Sequence, residues 1–551
     1  METTGTPAAY GLACQECVRA KCKCVVGEQG EACERCYRLR KTCLSSTSKR
    51  KLKSDNVRSG RVAKSPAASD TSRLERKLDD LVSMLSTTNA IKTPAPEAVA
   101  SSGIDYPGVT LEETEASLAD FDAHMLKFLP YIFIPPDTTA IQLLAHRPFL
   151  MLCMCAISTR HVARQLQLFE IMRETLAQKL IVKPEPSIDL LLGLLTFLGW
   201  LSCTPRPSID TIKTAASIYS RLALSMITDL GLNHSMQNDP PHMRCFHLLN
   251  PKADLSIERT MEERRAVLAW FVISSGLVRS DALRWTAHME DCLRALERNP
   301  ESPLDAVLVQ QVKISRIVEK ANLSLHYHTT FEATQENESL PMIYMQSMQV
   351  ELDKLRNDLS ANMQDNVTLR GWHHAAKLQI RCMAVSWKSL TVDCNQNPMQ
   401  LTNLTACLDL IQTVFDNFFE IKTSDVIGIP FAIFTQLRLC LGLLYHLSTM
   451  ECPGWDTGEV RRQIDILAII DKTIDRFQEA SRESDAYGED SLRRITGHLQ
   501  VMRSTWAVRI QQTDSQRATF TMTPDSVGEI GVAELPLLDD FLDMDWLMSS
   551  L

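Results

Sequence analysis

Three observations predict an all-α protein with a small metal-cluster domain at its N-terminus, a short coiled coil and a large multi-helical domain. Apolar residues recur at helical spacing through most of the 551-residue chain, as at Val162, Leu166, Phe169, Met172 and Leu176, while strand-like alternation is scarce. Seven cysteines stand between Cys14 and Cys43. Leu74, Leu78, Leu81 and Leu85 follow one another at spacings of four, three and four.

Charge is distributed unevenly. The net charge is −9, yet residues 1–64 hold fourteen Lys/Arg against six Asp/Glu, and after Arg517 there are seven acidic residues and no basic one. A basic head and an acidic tail call for different partners. The N-terminus shows no secretory signal. The longest apolar stretch, around Leu190 to Leu201, falls short of the roughly 20 residues a bilayer span takes. Both point to a soluble intracellular protein with no membrane partner, in a compartment where clustered thiols favour metal over disulfides. The ten cysteines from Cys153 to Cys452 are expected to be buried hydrophobes.

Residues 1–45 form the metal module. Cys14, Cys17 and Cys24 repeat the spacing of Cys33, Cys36 and Cys43, with residues 25–32 between the halves. One structural zinc takes four thiolates, so six cysteines satisfy two zinc ions when two thiolates are shared. Cys22 is a seventh thiol, an alternative ligand to Cys24 that the equal gaps disfavour. So short a segment buries too little apolar surface to fold alone, which leaves metal to supply the folding energy.

The runs Cys14-Gln-Glu-Cys17-Val-Arg19-Ala-Lys21-Cys22-Lys23-Cys24 and Cys33-Glu-Arg35-Cys36-Tyr-Arg38-Leu-Arg40-Lys41-Thr-Cys43 resemble the two halves of a fungal zinc binuclear cluster transcription factor. The resemblance implies that Cys14 and Cys33 bridge and that Lys21 reads bases. It also implies that Arg19, Lys23, Arg38, Arg40 and Lys41 lie near phosphates. The first half's short helix would enter the major groove, where lysine donates to guanine O6 and N7, on a CGG-like half-site. The chain departs from the family's pattern at Val18 and Ala20, where basic residues are usual, which leaves more of the reading to Lys21 and Lys23.

Residues 46–72 read as a disordered basic linker, and Lys49-Arg50-Lys51-Leu52-Lys53 as a nuclear-import signal that also meets phosphate. Ser72 and Glu75 make a capping box that opens a helix over residues 73–86. Its leucine seam predicts a short parallel coiled coil and hence a homodimer. Residues 87–110, with Pro94, Pro96 and Pro107, are linker again.

Residues 111–512 are expected to fold as one all-α domain of fifteen or more helices. Breaks fall at Thr204 to Pro207, Asn238 to Pro251, Asn299 to Pro303, Asn395 to Pro398 and Cys452 to Gly458. Arg147-Pro-Phe-Leu150, Ser187 to Gly193, Asp229-Leu-Gly-Leu-Asn233 and Glu262 to Leu268 resemble the middle homology region of the same factors. They are most similar to the subgroup containing leucine-biosynthesis and weak-acid-stress regulators. That resemblance implies a regulatory domain which restrains or exposes the tail, and it admits a small-molecule effector. No phosphate loop, dinucleotide fingerprint, nucleophile elbow or HExxH motif is present, so no catalytic site is predicted. His326/His328 and His373/His374 lack carboxylates at ligand spacing. The run Glu262-Glu263-Arg264-Arg265 reads as a solvated or interhelical ion network.

Residues 513–534 are a flexible linker. In 535–551, Leu537, Phe541, Met544, Met548 and Leu551 fall on one helical face, with Trp546 beside them and Asp539, Asp540, Asp543 and Asp545 between. Acidic and apolar residues mixed in this way read as an activation segment that folds into a coactivator groove. The expected function is a nuclear, sequence-specific transcriptional activator of RNA polymerase II genes, binding duplex DNA as a dimer and regulating a biosynthetic or secondary-metabolite pathway. The alternatives are a repressor with the same DNA head, or a metabolite-sensing helical domain with accessory DNA binding.

Overall fold

The computed structural model describes residues 6–7, 13–20, 24–26, 32–44, 109–203, 209–233, 259–276, 285–331, 339–385, 398–450, 454–483 and 491–520. The predicted coiled coil with Leu74, Leu78, Leu81 and Leu85, the import signal, and the tail with Leu537, Phe541, Met544, Trp546 and Met548 lie outside them. The chain divides into two compact units, residues 1–100 and 101–551.

In the first unit two five-residue helices, α1 (Gln15–Arg19) and α2 (Glu34–Arg38), flank a cysteine core. A two-residue antiparallel pair, Thr6–Pro7 with Val25–Val26, was not foreseen from the sequence.

Among its described residues the second unit has no strand and has eighteen α-helices. In chain order they begin with α3 (Leu111–Asp120), α4 (Ala140–His146), α5 (Pro148–Ser158), α6 (Val162–Leu176), α7 (Ile188–Gly199) and α8 (Ile209–Asp229). Next come α9 (Met261–Gly276), α10 (Ala287–Arg298), α11 (Pro303–Phe331), α12 (Ser339–Asn357), α13 (Ala361–Gln364) and α14 (Val367–Met383). The last are α15 (Pro398–Phe419), α16 (Thr423–Val426), α17 (Phe431–Thr449), α18 (Thr457–Gln463), α19 (Ile466–Glu483) and α20 (Ser491–Phe520).

Helix starts follow local chemistry. Thr110 with Glu113 and Thr139 with Gln142 form capping boxes, each satisfying two backbone donors left open at a helix N-terminus. Ser187 accepts from Leu190 N at 3.3 Å. Gly231, at φ 66°, ends α8, and Leu232 N reaches back to Ile227 O at 2.8 Å, the left-handed stop that glycine makes at least cost.

Two apolar cores result, one built mainly from α3 to α12 and the other from α14 to α20. Helices α5 and α7 are apolar on every side and lie at the centre of the first, as such a composition requires. Their approach is close, since a Cβ at Gly193 would stand 2.4 Å from the Phe149 ring. Asp189, in the first turn of α7, accepts from Phe149 N and Leu150 N at 3.0 Å each and so caps α5 across the interface. On α6 the buried seam is Gln165, Leu168, Phe169, Met172 and Leu176, with Leu166 half-buried beside it. Among the described residues one helix, α17, is long enough as well as apolar enough to span a bilayer. Here it packs Cys440, Leu441, Leu443, Leu444 and Leu447 into the second core. All seven described cysteines of this unit are buried.

The cores meet where α3 runs into a π-helical turn, Phe121–Met125. Leu126 and Leu129 belong to the first core and Phe128 to the second. Gln311 Nε2 donates to Phe128 O at 2.7 Å, and Trp200 Nε1 donates to Gly428 O at 2.8 Å. Asp425 accepts from His124 at 2.9 Å and Lys127 at 2.6 Å. A Cβ at Gly428 would lie 2.2 Å from His124 O, which is backbone and cannot swing aside. Gly428→Ala is therefore expected to cost about 1–3 kcal/mol, measured as a lower urea midpoint at unchanged m.

Candidate metal centre and DNA-facing surface

Both halves of the cysteine module are built alike. Cys14 precedes α1 and its Sγ accepts from Cys17 N at 3.4 Å; Cys33 precedes α2 and accepts from Cys36 N at the same distance. Each first cysteine thus places its sulfur on a helix N-terminus, where backbone N–H groups favour the thiolate. The second half closes through Cys43 Sγ, which accepts from Cys33 N at 3.3 Å.

Six sulfurs converge. Cys14, Cys17, Cys24 and Cys33 form one foursome, and Cys14, Cys33, Cys36 and Cys43 form another, each with all sulfurs within 4.8 Å of one another. Only Cys14 and Cys33 belong to both. The spacings Cys14–Cys33 at 3.8 Å, Cys14–Cys36 at 3.6 Å and Cys17–Cys33 at 3.7 Å match the roughly 3.8 Å edge of a tetrahedron whose metal–sulfur bonds are about 2.3 Å. Soft donors, tetrahedral spacing and burial fit zinc.

Electrostatics agree with a cationic occupant. Burial pushes the Cys33 thiol up, but the Cys36 N–H and the thiols of Cys36, Cys17 and Cys14 outweigh it and hold Cys33 at about 6. Cys36, by burial and by its neighbours Cys33 and Cys14, is pushed up to about 12. Packed sulfurs cannot all ionise together unless positive charge sits among them.

Arg19, Arg38, Arg40 and Lys41 are exposed on the module's surface. Lys21, Cys22 and Lys23 lie outside the described residues. Two features had not been anticipated. Lys41 Nζ bonds Glu16 Oε2 at 3.3 Å and so ties the two halves together. Arg40 sits at φ 49° and ends α2, a left-handed position with no glycine to announce it. Tyr37, 80% exposed, projects beside them.

The remaining charged candidates are structural. Arg147 binds Glu262 through Nε at 3.2 Å and through a second guanidinium nitrogen, and Glu263 caps α9 through Thr260 N at 2.9 Å. Arg264 donates to Arg259 O, and Arg265 is held by Asp305 and Glu301. The run is an interhelical network. His373 and His374 are pushed down to about 4 chiefly by burial, and His373 Nε2 lies 3.1 Å from Leu352 O. The side chains of His326 and His328 lie outside the described residues.

A cysteine-lined candidate metal site is joined in sequence to a large helical domain. The chain is 30% identical to the transcription factor opdL of Penicillium oxalicum, over 100% of this chain and 98% of that protein. It is 25% identical to a transcription factor of Aspergillus terreus, over 91% and 87% of the two chains, and 25% identical to the transcription factor himD of Aspergillus japonicus, over 86% and 80%. A family model described as ATEG07667_C, C-terminal domain, matches residues 423–551. No solved structure matches. The chain belongs to this family of fungal transcription factors.

Proposed function

We propose that this chain is a nuclear, sequence-specific DNA-binding activator of RNA polymerase II genes, whose DNA head is a two-zinc, six-cysteine cluster. The observation that carries the reading is the pair of sulfur foursomes sharing Cys14 and Cys33. In this assignment Cys14, Cys17, Cys24, Cys33, Cys36 and Cys43 ligate two Zn²⁺, with Cys14 and Cys33 bridging. Bound there, the ions would supply folding energy, while the chain's own side chains do the recognition. Lys21 reads a CGG-like half-site. Arg19, Lys23, Arg38, Arg40 and Lys41 meet phosphates, which makes affinity fall steeply with salt.

Residues 73–86 pair two chains, residues 111–512 are the regulatory domain, and residues 535–551 engage a coactivator. The acid-apolar tail supports activation over repression. The test is a reporter driven by paired CGG half-sites. Lys21→Ala should weaken binding to CGG duplex by about 1–3 kcal/mol, the worth of a good base contact, and deleting 535–551 should remove reporter output while leaving duplex binding intact. Unchanged base preference in Lys21→Ala would sink the reading residue, and full output without the tail would point to a repressor or to another activating segment.

A further inference from the structure

We propose that Lys183, on the arm between α6 and α7, is the site at which a small ubiquitin-like modifier is joined to this chain through an isopeptide bond. Helix α6 runs into a second π-helical turn, Ala177–Val182, none of whose residues is buried. The turn ends on two bare aliphatic side chains, Ile181 at 72% and Val182 at 63% exposed. Lys183 follows with extended backbone, φ −129° and ψ 90°. The chain stays exposed through Pro184 and Glu185 before Ser187 caps α7.

The sequence explains that geometry. Lys183 precedes Pro184 and Glu185 precedes Pro186, and a residue before proline is driven out of the helical region into extended backbone. Pro184 also cannot continue the turn it follows. Lys183 N donates to Gln178 O at 2.9 Å and Glu185 N to Lys179 O at 2.8 Å, which roots the arm on the turn. With no buried side chain in the turn, opening these two bonds is a small local step.

The arm offers what a conjugating enzyme must find. Such an enzyme carries the modifier's C-terminal carboxyl as a thioester on a cysteine and must hold the target lysine from both sides. For the small ubiquitin-like modifier the hold is an aliphatic side chain just before the lysine and a carboxylate two residues after it. Val182, Lys183 and Glu185 supply these in order, and no other lysine in the chain has an aliphatic residue before it and a glutamate two after it. Lys53, between Leu52 and Asp55, comes nearest and lies outside the described residues. Among the described residues none pairs with the Lys183 ammonium. Glu185 bonds Lys179 at 3.3 Å, but both are at least half exposed, so that pair is worth little and gives way to a cation of the enzyme.

The Lys183 ammonium gives one proton to solvent, and its neutral amine attacks the thioester carbonyl carbon. The C–N bond forms as the C–S bond breaks, and the departing sulfur takes a second proton from the amine. The products are the isopeptide-linked chain and a free enzyme thiol. The modification does not depend on the proposed DNA-binding role.

Conjugation in a reconstituted reaction tests it. The full-length purified chain is incubated with ATP, the activating and conjugating enzymes and the small ubiquitin-like modifier, and adducts are located by peptide mapping with mass spectrometry. Lys183 should carry the modifier in the native chain. Lys179, with Gln178 before it and Ile181 two after, should not. Lys183→Arg should remove that adduct alone and leave any at Lys53. Glu185→Gln and Val182→Ser should each slow modification of Lys183 at least about tenfold, the worth of one lost charge-assisted or apolar contact. All three side chains are exposed, so loss of fold does not enter. No adduct at Lys183, an adduct there that forms only after the chain is unfolded, an undiminished rate in either variant, or Lys179 modified as fast as Lys183 would each overturn the proposal.

Discussion

Cys33→Ser is expected to release zinc from both sites at once, unfold residues 13–44 and abolish duplex binding. Its sulfur belongs to both foursomes and caps α2, so one substitution removes two ligand positions. Structural zinc contributes about 10–16 kcal/mol of apparent folding energy in small peptides, more than thirty residues could recover from burial. The full chain should hold two zinc ions by native mass spectrometry and Cys33→Ser none, with the helical content of the large unit unchanged by circular dichroism. Cys24→Ser, which touches only one foursome, should damage one site, and Cys22→Ser should leave both ions in place. Two ions retained in Cys33→Ser would refute the shared-ligand arrangement.

Asp305→Ala is expected to destabilise the large unit by about 3–5 kcal/mol, because it leaves a buried guanidinium with only the half-exposed Glu301 carboxylate to answer its charge. Arg265, on α9, is 1% exposed and Asp305, in the first turn of α11, is 2% exposed. They meet in a bidentate pair at 2.7 and 2.9 Å. Asp305 also accepts from Glu301 N at 2.8 Å and Ser302 N at 3.1 Å, so it caps α11 besides binding the arginine. Replacing both partners, Arg265→Met with Asp305→Leu, should recover much of the loss, since the cost lies in the stranded charge more than in the missing attraction.

The pair also sets a pH dependence. Burial alone would push the Asp305 carboxyl up, but the bonds from Arg265 outweigh it and hold it below the ordinary carboxylate value. A depressed folded value means stability is present above the unfolded value of about 3.9. It is lost as pH falls below that value and through the folded one. Urea midpoints measured from pH 6 to pH 2 should therefore fall less in Asp305→Ala than in wild type.

How much of this was legible in the sequence differs by residue. The convergence of six sulfurs was legible because their short gaps repeat in two equal halves, which leaves few ways to arrange them. The helical class was legible from periodicity. The ion network at Glu262 to Arg265 could be anticipated as a network but not by its partners, because Asp305 lies 40 residues from Arg265 and Arg147 lies 115 from Glu262. Nothing local specifies such pairings. Leu166 and Leu168 are both apolar, and only the packing of α6 against α5 decides which is buried. Gly428 carries no turn signal of its own; its demand comes from a carbonyl three hundred residues earlier.

That long-range contact has a consequence for synthesis on the ribosome. His124 and Asp425 are separated by 301 positions and Trp200 and Gly428 by 228. At about 5–20 residues per second, roughly 15–60 s pass between the emergence of Phe128 and that of the helices that bury it. During that interval an early aromatic side chain destined for a late core is exposed, as is the indole N–H of Trp200. The N-terminal half of this domain therefore waits with those groups uncovered until its C-terminal half arrives, and a messenger truncated before residue 423 would leave them uncovered permanently.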